Sequence, residues 1–406
     1  MPWREWSVID QREEFVKLAM VPGANKSELC RRFGISRSNG DKWLRRYQAG
    51  GRGGLSDHSR RPRSSPTRST AAVEDEVLAI RKSSNNAWGG RKIAKVMRNK
   101  GYLHVPSLST ITEILRRHGK LEERTREHPG PFQRFERAEP NELWQMDFKG
   151  HFALARGRCH PLTVLDDHSR YSLTIAACGN EQETTVRERL ELVFRRYGLP
   201  DTMLMDNGSP WGDAGDQPHT IFTVWLMRLG VRVTHCRPLH PQTQGKDERF
   251  HRSLKAEVLN HNSFSDLSAC QRAFDRWRHV YNHERPHEAL KLDVPARHYR
   301  ASPRPFPDTL PTIEYWPGDI VRKVDVRGNI SFMCRNVHVG KAFRGRPVAL
   351  RPTNEDGVLA IHFCAHRIGT LHQRDLTPDA GELVDNARAL PTSSPAQQPQ
   401  QVEKPC

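Results

Sequence analysis

The chain has 406 residues, with 64 Lys and Arg against 47 Asp and Glu, a formal net charge of +17 and 36% hydrophobic residues. That length accommodates two or three domains with cores of their own, and that charge points to a polyanionic partner, most simply nucleic acid. No apolar run approaches the roughly 18 residues needed to span a bilayer, MPWREWSVIDQREEF lacks the apolar core of a signal peptide, and eight scattered cysteines without a Cys-x-x-Cys pair indicate neither zinc nor disulfides and fit a reducing cytoplasm.

Residues 7–20 read as a helix with Val8, Phe15, Leu18 and Ala19 on its apolar side. In NKSELCRRFGISRSNGDKWLRRY, Asn25 or Ser27 can cap a helix carrying Leu29 and Phe33, Gly34 breaks it, and Ser36 can cap a second helix carrying Trp43, Leu44 and Tyr47. Helix, short turn, basic helix is a helix-turn-helix pattern. Residues 37–46 would be the groove-reading helix, with Arg37, Ser38, Asn39, Lys42, Arg45 and Arg46 as candidate DNA contacts. The first domain closes at residue 55, and the Gly, Ser, Pro and Arg stretch over 56–70 is a basic linker. A second helix-turn-helix-like unit spans 71–120, with helices over Glu74 to Arg81, WGGRKIAKVMRNKGY and TITEILRRHG, the last capped by Ser107 or Ser109. Its sequence leaves open whether it reads bases or only packs. Residues 121–140 are a charged connector.

From 141 the period becomes two. In LWQMDFKG, Trp144, Met146 and Phe148 point one way and Gln145, Asp147 and Lys149 the other, which predicts a strand with one buried face. HPLTVLDDHSRYSLTIAACG adds two strands around a turn at 166–169, a helix follows at 183–197, TMLMDNG is a fourth strand, a helix lies near 219–229 and VRVTHC is a fifth strand. HPQTQGKDERFHRSLK then reads as a polar loop and a helix with Phe250, Leu254 and Val258 as its apolar stripe. The expected fold is multidomain α/β: helical units first, then a mixed sheet flanked by helices over 141–300. A small β-barrel over 310–376 and a disordered tail over 377–406 complete it.

Three carboxylates fall at the ends of elements such a sheet makes neighbours: Asp147 on the first strand, Asp206 ending the fourth, and Glu248 opening the helix after the fifth. Converging carboxylates can hold two divalent ions, and oxygen ligands beside phosphate favour Mg²⁺ or Mn²⁺ over Zn²⁺. Asp247 falls on the Phe250 and Leu254 side of its helix, away from Arg252, so Glu248 is preferred over it. Asp166 and Asp167 sit where turns favour Asp, Asp166 being the better candidate for a supporting acid, and Glu257 reads as surface.

WQMDF, Asp206-Asn207-Gly208 and HPQTQGKDERFHRSLK followed by YNHERPHEAL resemble the integrase core of bacterial insertion-sequence transposases. These belong to the retroviral integrase superfamily, with a ribonuclease H-like fold and an Asp-Asp-Glu triad. The resemblance covers about 140–300. It implies that Asp147, Asp206 and Glu248 bind two Mg²⁺ (or Mn²⁺) and are catalytic. It implies that Arg252 and Lys255 contact DNA backbone, and Asn207, His240, Gln244 and Lys246 are further candidate contacts. It also implies a transposase that binds terminal inverted repeats, cleaves DNA and transfers the strand in a bacterial cytoplasm beside the nucleoid. Its partners would be element ends and target DNA, and pairing two ends implies at least a dimer. A DNA-binding regulator with a silent core and a nuclease without strand transfer are the rivals. The spacer between Asp206 and Glu248 is longer than is usual in the family, with the excess placed in WGDAGDQPH. The retroviral His-His-Cys-Cys module is missing.

Overall fold

Side-chain caps decide where the first helices begin. In the computed structural model, which describes residues 6–58, 68–121, 136–212, 219–235 and 245–375, Ser7 and Asp10 form a capping box on α1 (Val8–Ala19). The Asn25 carboxamide oxygen accepts the N–H groups of Ser27 and Glu28 at 3.1 and 3.2 Å and opens α2 (Lys26–Arg32). Gly34 takes φ +64°, a left-handed turn that a side chain would strain, and Ser36 caps α3 (Arg37–Gly50). Phe15, Val16, Cys30, Trp43 and Leu44 form the core of this unit. Leu55, within the 3₁₀ turn Gly51–Leu55, is fully buried in the same core. A Cβ on Gly54 would sit 2.1 Å from the Arg46 carbonyl oxygen, so the turn closes only with glycine there.

The chain divides into two compact units, Met1–Ser69 and Thr70–Cys406. The second opens with α4 (Ala71–Ser83), α5 (Gly90–Asn99) and α6 (Leu108–Arg117), the last capped by Ser107. Val77, Ile80, Ile93, Met97, Ile111, Ile114 and Leu115 are buried among them.

The central sheet contains β1 (Trp144–Phe148), β2 (Phe152–Ala153), β3 (Arg158–Asp166), β4 (Ser172–Cys178), β5 (Thr202–Met205) and β6 (Arg232–His235). β3 pairs antiparallel with β1, β2 and β4, whereas β1, β5 and β6 run parallel. The parallel steps are crossed by α7 (Glu183–Tyr197) and α8 (Ile221–Arg228), and α9 (Gly245–Glu257) and α10 (Leu267–His283) cover the opposite face of the sheet. The mixed sheet is as expected, and β2 is a short addition.

β1 departs from its expected half-exposed character. Trp144, Met146, Met203 and Met205 pack with α7 and α8. The alternate face, carrying Gln145 at 1% exposure, lies with Leu165 and Ile175 toward Phe250 and Leu254 of α9 and Phe274 of α10. A parallel strand in mid-sheet is covered on both sides, so the polar alternation of WQMDF marks a packed polar face and not solvent.

The C-terminal region forms an open sheet, not the expected barrel. β7 (Ile320–Lys323), β10 (Pro347–Pro352), β11 (Val358–Phe363) and β12 (His366–His372) lie in the order β12-β11-β10-β7, and β8 (Asn329–Phe332) pairs only with β9 (Arg335–His338). No ladder joins β7 to β12 among the described residues. The apolar face is closed by the β8–β9 hairpin and by Val224 and Met227 of α8, which removes the need for closure.

Glu257, expected on the surface, is 6% exposed. Its carboxylate accepts from Trp277 Nε1 at 2.8 Å and Arg285 Nε at 3.0 Å. Glu257→Ala leaves the buried Arg285 guanidinium without its counter-charge, and denaturant titration is expected to show a loss of about 3–5 kcal/mol. Glu257→Gln is expected to cost less, and an unchanged midpoint for the alanine variant would refute the assignment.

Candidate active site

Strand register places the first two carboxylates. Gln145 of β1 is level with Leu204 of β5, so two residues further on Asp147 and Asp206 stand level at the C-terminal ends of adjacent parallel strands, where open α/β sheets place their ligands. Burial first, and the Asp206 charge second, push the Asp147 carboxyl from the ordinary 3.8 up to about 7. One Asp206 oxygen accepts the Gly208 N–H at 3.0 Å and the Trp211 indole N–H. Trp211 is buried and stacks on Phe148, with centroids 5.3 Å apart. His235 Nδ1 lies 2.8 Å from the Asp206 carbonyl oxygen.

α9 packs against β1 through a second set of polar contacts. Thr163, opposite Asp147 on β3, donates its hydroxyl to the Asp147 carbonyl at 3.0 Å. Its oxygen lies 2.8 Å from His251 Nε2. With the hydroxyl proton already used, Nε2 carries the donated hydrogen. Burial, then Lys149, hold His251 down to about 3, so the ring is neutral. Its Nδ1 lies 3.8 Å from an Asp147 carboxylate oxygen.

The third acid is divided between two residues. Glu248 is exposed in the first turn of α9. Asp247 is 1% exposed, on the Phe250 and Leu254 side as expected. Neither of its carboxylate oxygens has a hydrogen-bond partner among the described residues. Burial, followed by Asp147 and Asp167, raises its carboxyl well above the usual range. No group of three or more His, Cys, Asp or Glu stands at metal-holding spacing among the described residues. The donor chemistry of the pair nevertheless fits a hard divalent cation: Asp147 and Asp206 are carboxylates whose mutual repulsion a cation would offset.

Several expected contacts lie elsewhere. Lys246, a candidate DNA contact, is instead committed to Asp167: its Nζ lies 2.5 Å from the Asp167 carboxylate and 3.1 Å from its carbonyl. Asp167 also accepts from Gln145 Nε2 at 2.8 Å and the Arg137 N–H at 2.9 Å. Asp166 accepts the N–H groups of Asn141 and Ser169 and the Ser169 hydroxyl, so it organises the β3–β4 turn and is not the supporting acid. Arg252 and Lys255 are exposed on α9, and Asn207 is exposed in the turn after β5. Lys255 lines a cleft of about 760 Å³ with Lys149, His151 and Asn260. His240 and Gln244, and most of the loop assigned the long spacer, lie outside the described residues. In the first unit, Arg37, Ser38, Asn39 and Arg45 are exposed along α3. Lys42 and Arg46 lie over Trp43 together with Arg12, at 4.6, 5.2 and 3.9 Å from the ring centroid. Sequence reasoning missed Trp211 and His251. Nothing in spacing marks an indole five residues past Asp206, but the position of His251 four residues after Asp247 was available as a helix-face signal.

Several segments of the chain are similar to known proteins. Residues 137–241 and 229–295 match two profiles described as "Integrase core domain", and 319–378 match "IS481 family transposase, C-terminal domain". Residues 11–63 match "Helix-turn-helix domain" and 40–115 match "Homeodomain-like domain". The chain is 28% identical over 233 residues to an insertion element IS407 uncharacterized 31.7 kDa protein of Burkholderia multivorans, covering 55% of this chain and 80% of that one. It is 28% identical over 158 residues to an insertion element IS476 uncharacterized 39.2 kDa protein of Xanthomonas euvesicatoria, covering 39% of this chain and 44% of that one. A simian T-cell lymphotropic virus intasome, solved in complex with the PP2A regulatory subunit B56 gamma, superposes with TM-score 0.37 at 14% identity, covering 77% of this chain and 96% of that one.

Burial and the Asp206 charge push the Asp147 carboxyl from the ordinary 3.8 up to about 7. Folded protein therefore binds the extra proton, and its stabilising contribution is complete below about 3.8 and lost as pH rises through about 7. In metal-free protein, Asp206→Asn is expected to lower the Asp147 midpoint in a ¹³C-carboxyl NMR titration. An unmoved midpoint would show that the two carboxylates do not interact.

Proposed function

We propose that this chain, a transposase of the insertion-sequence type with helix-turn-helix domains ahead of an integrase core, binds the terminal inverted repeats of its element and cleaves and joins DNA at Asp147, Asp206 and Glu248. The observation that carries this is the level placement of Asp147 and Asp206 at the ends of adjacent parallel strands, close enough for one charge to raise the other carboxyl. Glu248 supplies the third carboxylate from the first turn of α9, the helix packed on β1. Two Mg²⁺ or Mn²⁺ ions would be held by these three groups. When bound, they supply Lewis-acid stabilisation of the charge that builds on the phosphodiester oxygens.

The remaining work belongs to the chain's own side chains. The Gly208 N–H and Trp211 indole hold one oxygen of Asp206 and so fix the direction in which the other faces. Thr163 and neutral His251 fix α9 against β1 at the level of Asp147. Arg252 and Lys255, exposed on α9, hold the DNA backbone. Water attacks the phosphorus at the element end and the 3′-oxygen leaves as a hydroxyl. That hydroxyl then attacks a phosphodiester of the target: a new P–O bond forms, the target's own P–O3′ bond breaks, and the target 3′-oxygen leaves as a hydroxyl with the proton that the attacking group gives up. Arg37, Ser38, Asn39 and Lys42 of α3 read the repeat. Two ends joined in one event need at least two copies of the chain, acting where the bacterial nucleoid lies.

Purified full-length protein, Mg²⁺ and labelled element-end DNA test the proposal. Strand-transfer products are expected in the wild type and are expected to fall by about a thousandfold or more in Asp206→Asn and Glu248→Gln, the several kcal/mol such a site supplies. Binding without cleavage would replace the reading with a regulator, and cleavage without joining would replace it with a nuclease. Arg37→Ala with Lys42→Ala is expected to abolish repeat binding while leaving chemistry on preformed ends. Surviving repeat binding would move the reader away from α3.

A further inference from the structure

The seam between the second helical unit and α9 lies beside the carboxylates but takes no part in their chemistry. Asn85 at the end of α4 donates to the Glu257 carbonyl at 2.7 Å. Glu257 in turn holds Arg285, whose Nη2 donates to Ser253 Oγ at 2.9 Å. The Arg285 charge is thereby balanced. Around this joint stand three more cations, Arg91 and Lys92 of α5 and Arg249 of α9, and one further carboxylate, Glu288. Glu288 is shared: it lies 3.9 Å from Arg91 and 3.6 Å from Arg249, both well beyond the roughly 2.7–2.9 Å of a charge-assisted hydrogen bond. The two guanidinium side chains are 68% and 66% exposed.

Three cations against one carboxylate leave a local excess of positive charge. Lys92 is largely buried among these groups: burial, then Arg285, push its ammonium down to about 8, with Glu257 and Glu288 opposing and Arg249 adding to the repulsion. Like charges brought together by the docking of two elements disfavour the docked state unless an anion joins them. The cations also have a direction. Arg249 follows Glu248 in the chain, and Arg252 lies exposed one turn on along the same helix face. Glu288 thus links a cation of the second helical unit, Arg91, to Arg249, the residue next to Glu248 on α9.

We propose that this seam is a track for the phosphate backbone of duplex DNA, with Arg91, Lys92 and Arg249 taking phosphates between the second helical unit and the candidate site. The track rests on the transposase reading for where the DNA leads, and not for whether DNA binds. It makes the second helical unit part of the core's DNA surface, whether or not its helices also read bases. Glu288 then competes with phosphate for both arginines and weakens binding.

Fluorescence anisotropy of full-length protein with a labelled duplex, taken from the element's end and repeated with a random duplex, tests the track across a salt series. Arg91→Ala with Arg249→Ala is expected to reduce the slope of log affinity against log salt by about 2, about 1 for each lost phosphate contact, with both duplexes. Arg91→Lys with Arg249→Lys is expected to keep the slope, and Glu288→Gln to tighten binding. A wild-type slope in the double alanine variant would overturn the track and leave the catalytic reading standing. A wild type that joins no DNA, yet loses slope in that variant, would overturn the catalytic reading and leave the track.

Discussion

The parallel pairing of β1 with β5 is the constraint on which the site depends. Its register, Gln145 level with Leu204, sets Asp147 and Asp206 side by side, and a slip of one residue would send one of them to the opposite face. That pairing is non-local: three strands, β2, β3 and β4, and α7 intervene, and a parallel connection needs such a crossover. The apolar face of the same strands, with Trp144, Met146, Met203 and Met205 buried against α7 and α8, keeps the register from moving.

On the other face, polar contacts replace apolar ones as the means of fixing position. Thr163 joins the Asp147 carbonyl to His251, and Gln145 and Lys246 join Asp167 to β1 and α9. Buried polar groups are costly unless partnered, so a satisfied network specifies one placement of the helix. Asp247 is the exception within it, buried with both carboxylate oxygens unpartnered among the described residues. Burial, with the Asp147 and Asp167 charges beside it, favours its neutral form, and a divalent cation held nearby would favour the ionised form instead.

A third joint, Glu257 with Arg285 and Trp277, ties the last turn of α9 to α10 and, through Asn85, to the second helical unit. One helix therefore carries Glu248 at its first turn, exposed basic residues along its length and a buried ion pair at its end. Displacement of α9 would be felt at all three. The C-terminal sheet shares Val224 and Met227 of α8 with the core in the same manner, so it is held without closing into a barrel.

Most of the element order, the cap at Ser36, the caps near Asn25 and Ser107 to within one alternative each, the change of period at β1 and the motifs around Asp147, Asp206 and Glu248 are legible in the sequence, because capping, turn chemistry and periodicity act between residues a few positions apart. Only the tertiary structure decided which polar residues are buried. Glu257 and Lys246 read as surface or DNA-facing residues in isolation, since a helix face looks solvated until its partner element is known. Gln145 looked exposed because alternation cannot tell a solvated face from one covered by another helix. The open C-terminal sheet followed from the same limit: strand pairing between distant segments sets closure, and no local pattern records it.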